Sequence, residues 1–210
     1  SMVADINPNG DGICGASGST FNSYPLILFN NDLIFCADDG THGSELWRYD
    51  SSLGSVSMVS DIISGSGSGS PQWLAVSDDK LFFRANDYSL GTELWMYDGT
   101  NSPSMVADIA PGQIASYPAN LFSFNNKIYF SANDGNSGHE LWNYDGVNAN
   151  LISNIAPFAS SSSPSGFTVY NNELYFVADD GVNGNELWMY DGTNPPSMVV
   201  DIRGGSVDSD

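Results

Sequence analysis

The chain is expected to be an all-β protein, a β-propeller with four blades of four antiparallel strands. Three observations predict it. First, one motif occurs four times: ADDGTHGSELWRYD at 37–50, ANDYSLGTELWMYDGT at 85–100, ANDGNSGHELWNYDG at 132–146 and ADDGVNGNELWMYDGT at 178–193. Second, its glutamates stand at 45, 93, 140 and 186, giving steps of 48, 47 and 46 residues. A fixed period in that range marks a repeat architecture, and four-stranded propeller blades have roughly this length. Third, no segment keeps a helical period, whereas short apolar runs alternate with turn residues. Residues 1–210 therefore read as a single propeller domain. Its repeats fall at about 19–62, 67–109, 114–155 and 162–202, and residues 1–6 form an extra strand of the fourth type.

The third repeat illustrates the elements in order. NLFSF at 120–124 is a first strand, and Asn125-Asn126 is a tight turn whose residues tolerate positive φ. KIYFSA at 127–132 is the second strand, followed by a loop at 133–138. ELWNY at 140–144 is the third, Asp145-Gly146 turns the chain, and LISNI at 151–155 is the fourth. The same order holds over 26–62, 73–109 and 167–202. A blade is covered on both sides by its neighbours, so both faces of its middle strands can be apolar. Leu46, Leu94, Leu141 and Leu187 accordingly alternate with Trp47, Trp95, Trp142 and Trp188. The tryptophan row reads first as blade-to-blade packing and second as a row of sugar-stacking platforms.

SMVADI at 1–6 matches SMVSDI at 57–62, SMVADI at 104–109 and SMVVDI at 197–202. It is a fourth strand with no blade before it. Either the two termini compete for one place, or the chain is a segment of a longer array. The surplus strand is a route to a homo-oligomer, as a two-chain ring or stack.

Asp and Glu number 25 against 5 Lys and Arg, a net charge of −20. Such a surface repels phosphate backbones and anionic lipid, so nucleic acid is not an expected partner. No apolar run approaches the roughly 20 residues of a membrane span, and membrane insertion is not expected. An acidic surface rich in Ser, Asn and Gly suits an extracellular protein and attracts cations. The link from Asp5 to Pro25 is about ten residues longer than its counterparts and contains Cys14. Loops after strands two and four leave a blade on the same side, which lets Cys14 approach Cys36. A disulfide there would imply an oxidising compartment; the alternative is two unrelated thiols.

The motifs GSELWRYD, GTELWMYDGT, GHELWNYDG and GNELWMYDGT resemble the ELWxxDGT repeat of large secreted or surface proteins, chiefly bacterial. LYFVADDG at 174–181 and DIAPG at 108–112 agree with the flanking pattern. The resemblance spans nearly the whole chain and implies an extracellular propeller-like module at the cell surface. It implies no catalytic residue. The blade order is also similar to that of kelch repeats. Departures are the missing Asp-Gly turn at Asp50-Ser51-Ser52, Tyr88 in place of the loop glycine, and Asn154 in place of the strand-four aspartate.

Acidic residues gather at one expected rim. Asp39, Asp134 and Asp180 lie in the loops after strand two, and Asp61, Asp108 and Asp201 end fourth strands. With the rim aromatics Tyr24, Trp73 and Tyr117, the first three form a candidate carbohydrate site, because sugars are held by ring stacking and polar hydrogen bonds. Asp5, Asn7, Asn9 and Asp11, together with Asp61, Asp108 and Asp201, form a candidate Ca²⁺ set. The plain alternative is that these carboxylates cap glycine turns by accepting loop amides. D-x-N-x-N-G at 5–10 matches half an EF-hand loop, but position twelve is Ala16, so an EF-hand is excluded. His42 and His139 do not recur between repeats, and no His/Cys cluster fits zinc. The chain is thus expected to bind rather than catalyse, with a glycan or a surface protein as partner. The alternatives are a glycan hydrolase or lyase using paired rim carboxylates, and a self-assembling spacer without a ligand.

Overall fold

The computed structural model describes residues 4–15, 26–202 and 204. They form four antiparallel four-stranded sheets, each built from strands consecutive in sequence. Sheet 1 holds β1 (Ile27–Phe29), β2 (Asp32–Asp38), β3 (Ser44–Asp50) and β4 (Ser55–Ser60). Sheet 2 holds β5 (Gln72–Ser77), β6 (Lys80–Asn86), β7 (Thr92–Tyr97) and β8 (Ser104–Ala107). Sheet 3 holds β9 (Ala119–Phe124), β10 (Lys127–Asn133), β11 (His139–Tyr144) and β12 (Ala149–Ser153). Sheet 4 holds β13 (Ser165–Tyr170), β14 (Glu173–Asp179), β15 (Asn185–Tyr190) and β16 (Ser197–Val200). The first hairpin of every sheet turns through two left-handed residues: Asn30-Asn31, Asp78-Asp79, Asn125-Asn126 and Asn171-Asn172, all with φ between 49° and 69°. Asn and Asp tolerate that region, and such turns match the twist of the strands they join.

Neighbouring sheets stack through complementary faces. Strand alternation puts the motif leucine on one face and the motif tryptophan on the other. At the first junction Ile34 and Leu46 of sheet 1 meet Leu81, Phe83 and Trp95 of sheet 2. At the second, Phe82 and Leu94 meet Ile128, Phe130 and Trp142. At the third, Tyr129 and Leu141 meet Leu174, Phe176 and Trp188. Each large apolar side chain buried this way contributes about 1.5–3 kcal/mol. The tryptophans of sheets 2, 3 and 4 are therefore packing groups, as the first reading of that row expected. Among the described residues no cluster joins sheet 4 to sheet 1, so the four sheets form an open row.

A buried glutamate fixes each crossing from one sheet to the next. Glu45, Glu93 and Glu140 are fully buried. Glu93 accepts Ile109 N at 3.0 Å, Ser116 N at 3.0 Å and Ser116 Oγ at 2.5 Å. Glu45 accepts Ile62 N and Gly69 N at 3.0 and 2.7 Å. Glu140 accepts Ile155 N, Ser162 N and Ser162 Oγ at 2.8, 3.1 and 2.6 Å. Glu186 accepts Ile202 N at 3.2 Å. The link held by each carboxylate then reaches the next sheet: Asn86 N donates to Gly69 O, Asn133 N to Ser116 O, and Asp179 N to Ser162 O, all at 2.9–3.0 Å. The motif glycine two residues before the glutamate makes room for this contact. A Cβ on Gly43 would lie 2.0 Å from Gly67 O, and one on Gly138 would lie 2.1 Å from Ser160 O.

The N-terminal segment repeats this pattern on sheet 1. Asp38 N donates to Gly12 O at 2.9 Å, and Ile13 bridges Ala37. Cys14 and Cys36 are joined as a disulfide with Cα atoms 5.4 Å apart. Residues 4–6 of the expected extra strand lie in no strand, and residues 1–3 fall outside the described residues.

Removing Glu93 strands the buried Ile109 amide, at a cost of about 1–3 kcal/mol, and leaves Ser116 N and Oγ only their bonds to Thr92 O. Glu93→Ala is expected to lower stability by about 2–4 kcal/mol in denaturant melts, and Asp98→Ala, at a solvent-facing turn, by clearly less. A pH dependence follows as well. Burial raises the carboxyls of Glu45, Glu93 and Glu140 despite their amide donors. Raised acids bind more protons folded than unfolded, so their contribution is full below the ordinary glutamate range and is lost as pH rises through their folded values. Asp98 is held well below the usual range, by the Asn101 side chain first. Its contribution is present above the ordinary aspartate range and is lost as pH falls through its folded value. Thermal midpoints are therefore expected to peak near the ordinary glutamate range and to decline as pH rises from there through the folded values of the three glutamates. Glu93→Gln should flatten that decline.

Candidate functional site

The loops after the second strands contain three of the predicted ligand residues, and their carboxylates are already engaged. Asp39 Oδ1 accepts Thr41 N and His42 N at 2.8 and 2.9 Å. Asp134 Oδ1 accepts Asn136 N and Ser137 N, both at 2.8 Å. Asp180 Oδ1 accepts Val182 N and Asn183 N at 2.9 and 2.8 Å. Burial works to raise the carboxyls of Asp134 and Asp180, but these donors outweigh it and hold both below the usual range. The side-chain bond from Thr41, then that from His42, lowers Asp39 in the same way. Each of the three closes the loop of a different sheet.

The predicted calcium ligands are likewise dispersed. Asp61 Oδ2 accepts Gly65 N at 3.4 Å, Asp108 Oδ2 accepts Gly112 N at 3.3 Å, and Asp201 Oδ1 accepts Gly204 N at 2.5 Å. These are turns at three different sheets, reaching four residues ahead at Asp61 and Asp108 and three ahead at Asp201. Asn7 Oδ1 accepts Asn9 N at 3.2 Å, in the segment that also contains Asp5 and Asp11. Among the described residues, no three His, Cys, Asp or Glu side chains gather closely enough to hold a metal ion.

One place differs from its repeats. Two adjoining pockets of about 210 and 280 Å³ open on the rim of sheet 2 and share Asn86, Thr92 and Tyr117. Ser70, Gln72 and Arg84 line the first, and Tyr88 and Gln113 the second. Together they form a cleft between the link into sheet 2 and the link into sheet 3. Tyr117 and Tyr88 are both exposed, at 52% and 60%. Both have a left-handed backbone, with φ of 48° and 63°. At Tyr117 the turn imposes this conformation, since Ser70 and Ser163 share it with φ of 49°. At Tyr88 the other sheets place glycine: Gly40, Gly135 and Gly181 have φ of 83°, 86° and 80°. A bulky residue there costs about 1–2 kcal/mol, and such outliers cluster at functional sites. The Tyr88 amide donates to Asn86 Oδ1 at 2.8 Å, which holds the loop over the cleft.

Of the predicted aromatics, Tyr117 lies in this cleft. Trp73 is half-buried on β5 at φ 57°, a bulge position shared with Asn120 and Gly166, and it does not line the cleft. Tyr24 lies outside the described residues. Tyr88, Gln72, Arg84, Asn86 and Gln113 were not expected. Two signals in the sequence point to them. Tyr88 breaks the loop-glycine rule, and Arg84 is one of five basic residues, at a position where the other repeats have Cys36, Ser131 and Val177.

No family model matches the chain, and no curated protein matches it. Solved structures do resemble it. The β-propeller domain of the trilobed protease from Pyrococcus furiosus aligns at 13% identity and a TM-score of 0.58, over 86% of this chain and 55% of that one. Pyrococcus horikoshii acylaminoacyl peptidase aligns at 14% identity and 0.58, over 86% and 27%. TolB from Acinetobacter baumannii aligns at 14% identity and 0.53, over 86% and 44%. The chain spans about half or less of these proteins. The likeness is one of fold: four-stranded sheets stacked as in propeller domains.

Proposed function

We propose that the chain is a propeller-type binding module that takes a carbohydrate in the cleft between Tyr88 and Tyr117. One observation supports this above the others. In a chain of near-equivalent repeats, sheet 2 alone combines a tyrosine at the left-handed loop position with a tyrosine on the facing link. Two exposed rings offer apolar faces to the C–H faces of a sugar ring. Gln72, Asn86 and Gln113 offer amide donors and acceptors suited to hydroxyl pairs, with Thr92 beside them. Arg84 brings a planar cation to an otherwise acidic rim, suited to a sugar carboxylate. A shallow polar cleft with aromatic walls is a recognition surface, and recognition needs no reactive group. The ELWxxDGT resemblance supports placing the module outside the cell, where glycans are met. Recognition in this reading does not pass through calcium.

Glycan-array binding followed by titration calorimetry tests this. Tyr117→Ala is expected to weaken the best ligand at least tenfold, about 1.4 kcal/mol. Tyr88→Gly is expected to weaken it comparably while leaving the melting midpoint unchanged or higher, because it relieves a left-handed tyrosine. Binding unaffected by both changes would overturn the reading. Chelation is expected to leave the midpoint unmoved, since a ligand of the native state alone would raise it.

A further inference from the structure

The row of sheets ends in two exposed faces, and they are the two halves of the junction it uses internally. On sheet 4, the leucine-side face is bare. Leu187 is 36% exposed, whereas its equivalents Leu46, Leu94 and Leu141 are each at 0%. Val177 and Val200, its partners on the adjacent strands, are exposed beside it. On sheet 1, the tryptophan-side face is only partly covered: Phe35 is buried, with Ala4, Ile6 and Ile13 of the N-terminal segment beside it, but Leu33 stays open. Leu33 is 38% exposed, whereas Leu81 and Leu174 are at 0% and Ile128 is at 1%. Between this face and Ala4, Ile6 and Ile13 of the N-terminal segment lies an apolar pocket of about 210 Å³, lined on the sheet side by Leu33, Phe35 and Tyr49.

Every internal junction packs a leucine-side face onto a tryptophan-side face, three times over. The link position at the tryptophan-side face of sheet 1 is already filled. Gly12 O takes the place that Gly69 O, Ser116 O and Ser162 O hold at the internal junctions. What that face lacks is the preceding sheet. The propeller domain of the trilobed protease needs nearly twice the chain that these four sheets cover.

We infer that a second copy of this chain supplies the missing sheets. Sheet 4 of each copy packs onto sheet 1 of the other, and two copies close an eight-sheet ring head to tail. The contact is heterologous, with different surfaces meeting, and it closes because both ends of both copies are used. The inference rests on the propeller reading of the sheets and not on the carbohydrate cleft. One local adjustment is required. Residues 4–6 and the incoming Asp201 and Ile202 are equivalent in sequence and would meet at one position, so one segment must leave it.

Sedimentation velocity of the intact chain tests this. The wild-type chain is expected to sediment at twice the mass of one chain. Leu33→Asp and Leu187→Asp alter exposed positions and should keep the far-ultraviolet spectrum and melting midpoint. Each alone is expected to be monomeric, because each spoils both junctions of the ring. Mixed in equal amounts they should form a dimer again through the one intact junction, at least about a hundredfold weaker than wild type. Deleting residues 1–6 should tighten the wild-type dimer. A wild-type monomer at the highest soluble concentration would overturn the inference. So would continued self-association of either single variant, a mixture that stays monomeric, or a truncation that weakens the dimer. Glycan binding retained by the monomeric variants would show that the cleft reading stands apart from the ring.

Discussion

The fold depends on a carboxylate buried where the chain passes from one sheet to the next. At each internal junction, the glutamate that opens the third strand accepts amides from the link leaving its own sheet. The same link then accepts an amide from the second strand of the next sheet. Burying a charge without partners is costly, so the carboxylate must find donors, and the link amides, otherwise orphaned, are the donors within reach. The two penalties offset each other only in part, since burial still holds these carboxyls above their ordinary range, but the crossing is fixed. The stacking of the apolar faces provides most of the stabilisation. The glutamate decides where each sheet stands relative to its neighbour.

That constraint explains how the acidic residues are used. A chain with 25 acids and 5 bases would crowd like charges along its rim. Instead each loop aspartate is tied to amides two and three residues ahead, and each strand-four aspartate to a glycine amide three or four residues ahead. The negative charge is spread over many small turns.

The same regularity makes departures readable. Where the other three repeats have a glycine, a tyrosine at φ 63° costs energy that its neighbours avoid. Where the inner sheets are covered on both faces, an exposed Leu187 or Leu33 on the end sheets leaves apolar surface in water. The first departure marks a cleft and the second marks the ends of the row. They lie on different surfaces, the rim and the sheet faces, so ligand binding and self-association need not compete.

The sequence by itself determined the number of sheets, the four strands of each, the two-residue hairpin turns and the alternation of leucine and tryptophan. These follow from local chemistry: a fixed period, residues that tolerate positive φ, and strand alternation. The pairing of Cys14 with Cys36 was one of two readings left open, and the strand geometry selects it. Only the tertiary structure decided which rim residues share a cleft. Tyr88, Arg84 and Tyr117 come from a loop, a strand and a link, and their convergence depends on how the links cross the sheets. It also showed that Asp39, Asp134 and Asp180 stand in separate loops and that Asp61, Asp108 and Asp201 stand in separate turns. A one-dimensional repeat can place acids on the same rim, but each copy is carried away from the last by the width of a sheet. Finally, it showed that the row is open. Closure depends on the rotation from sheet to sheet, a quantity set by packing at the junctions and carried by no single residue.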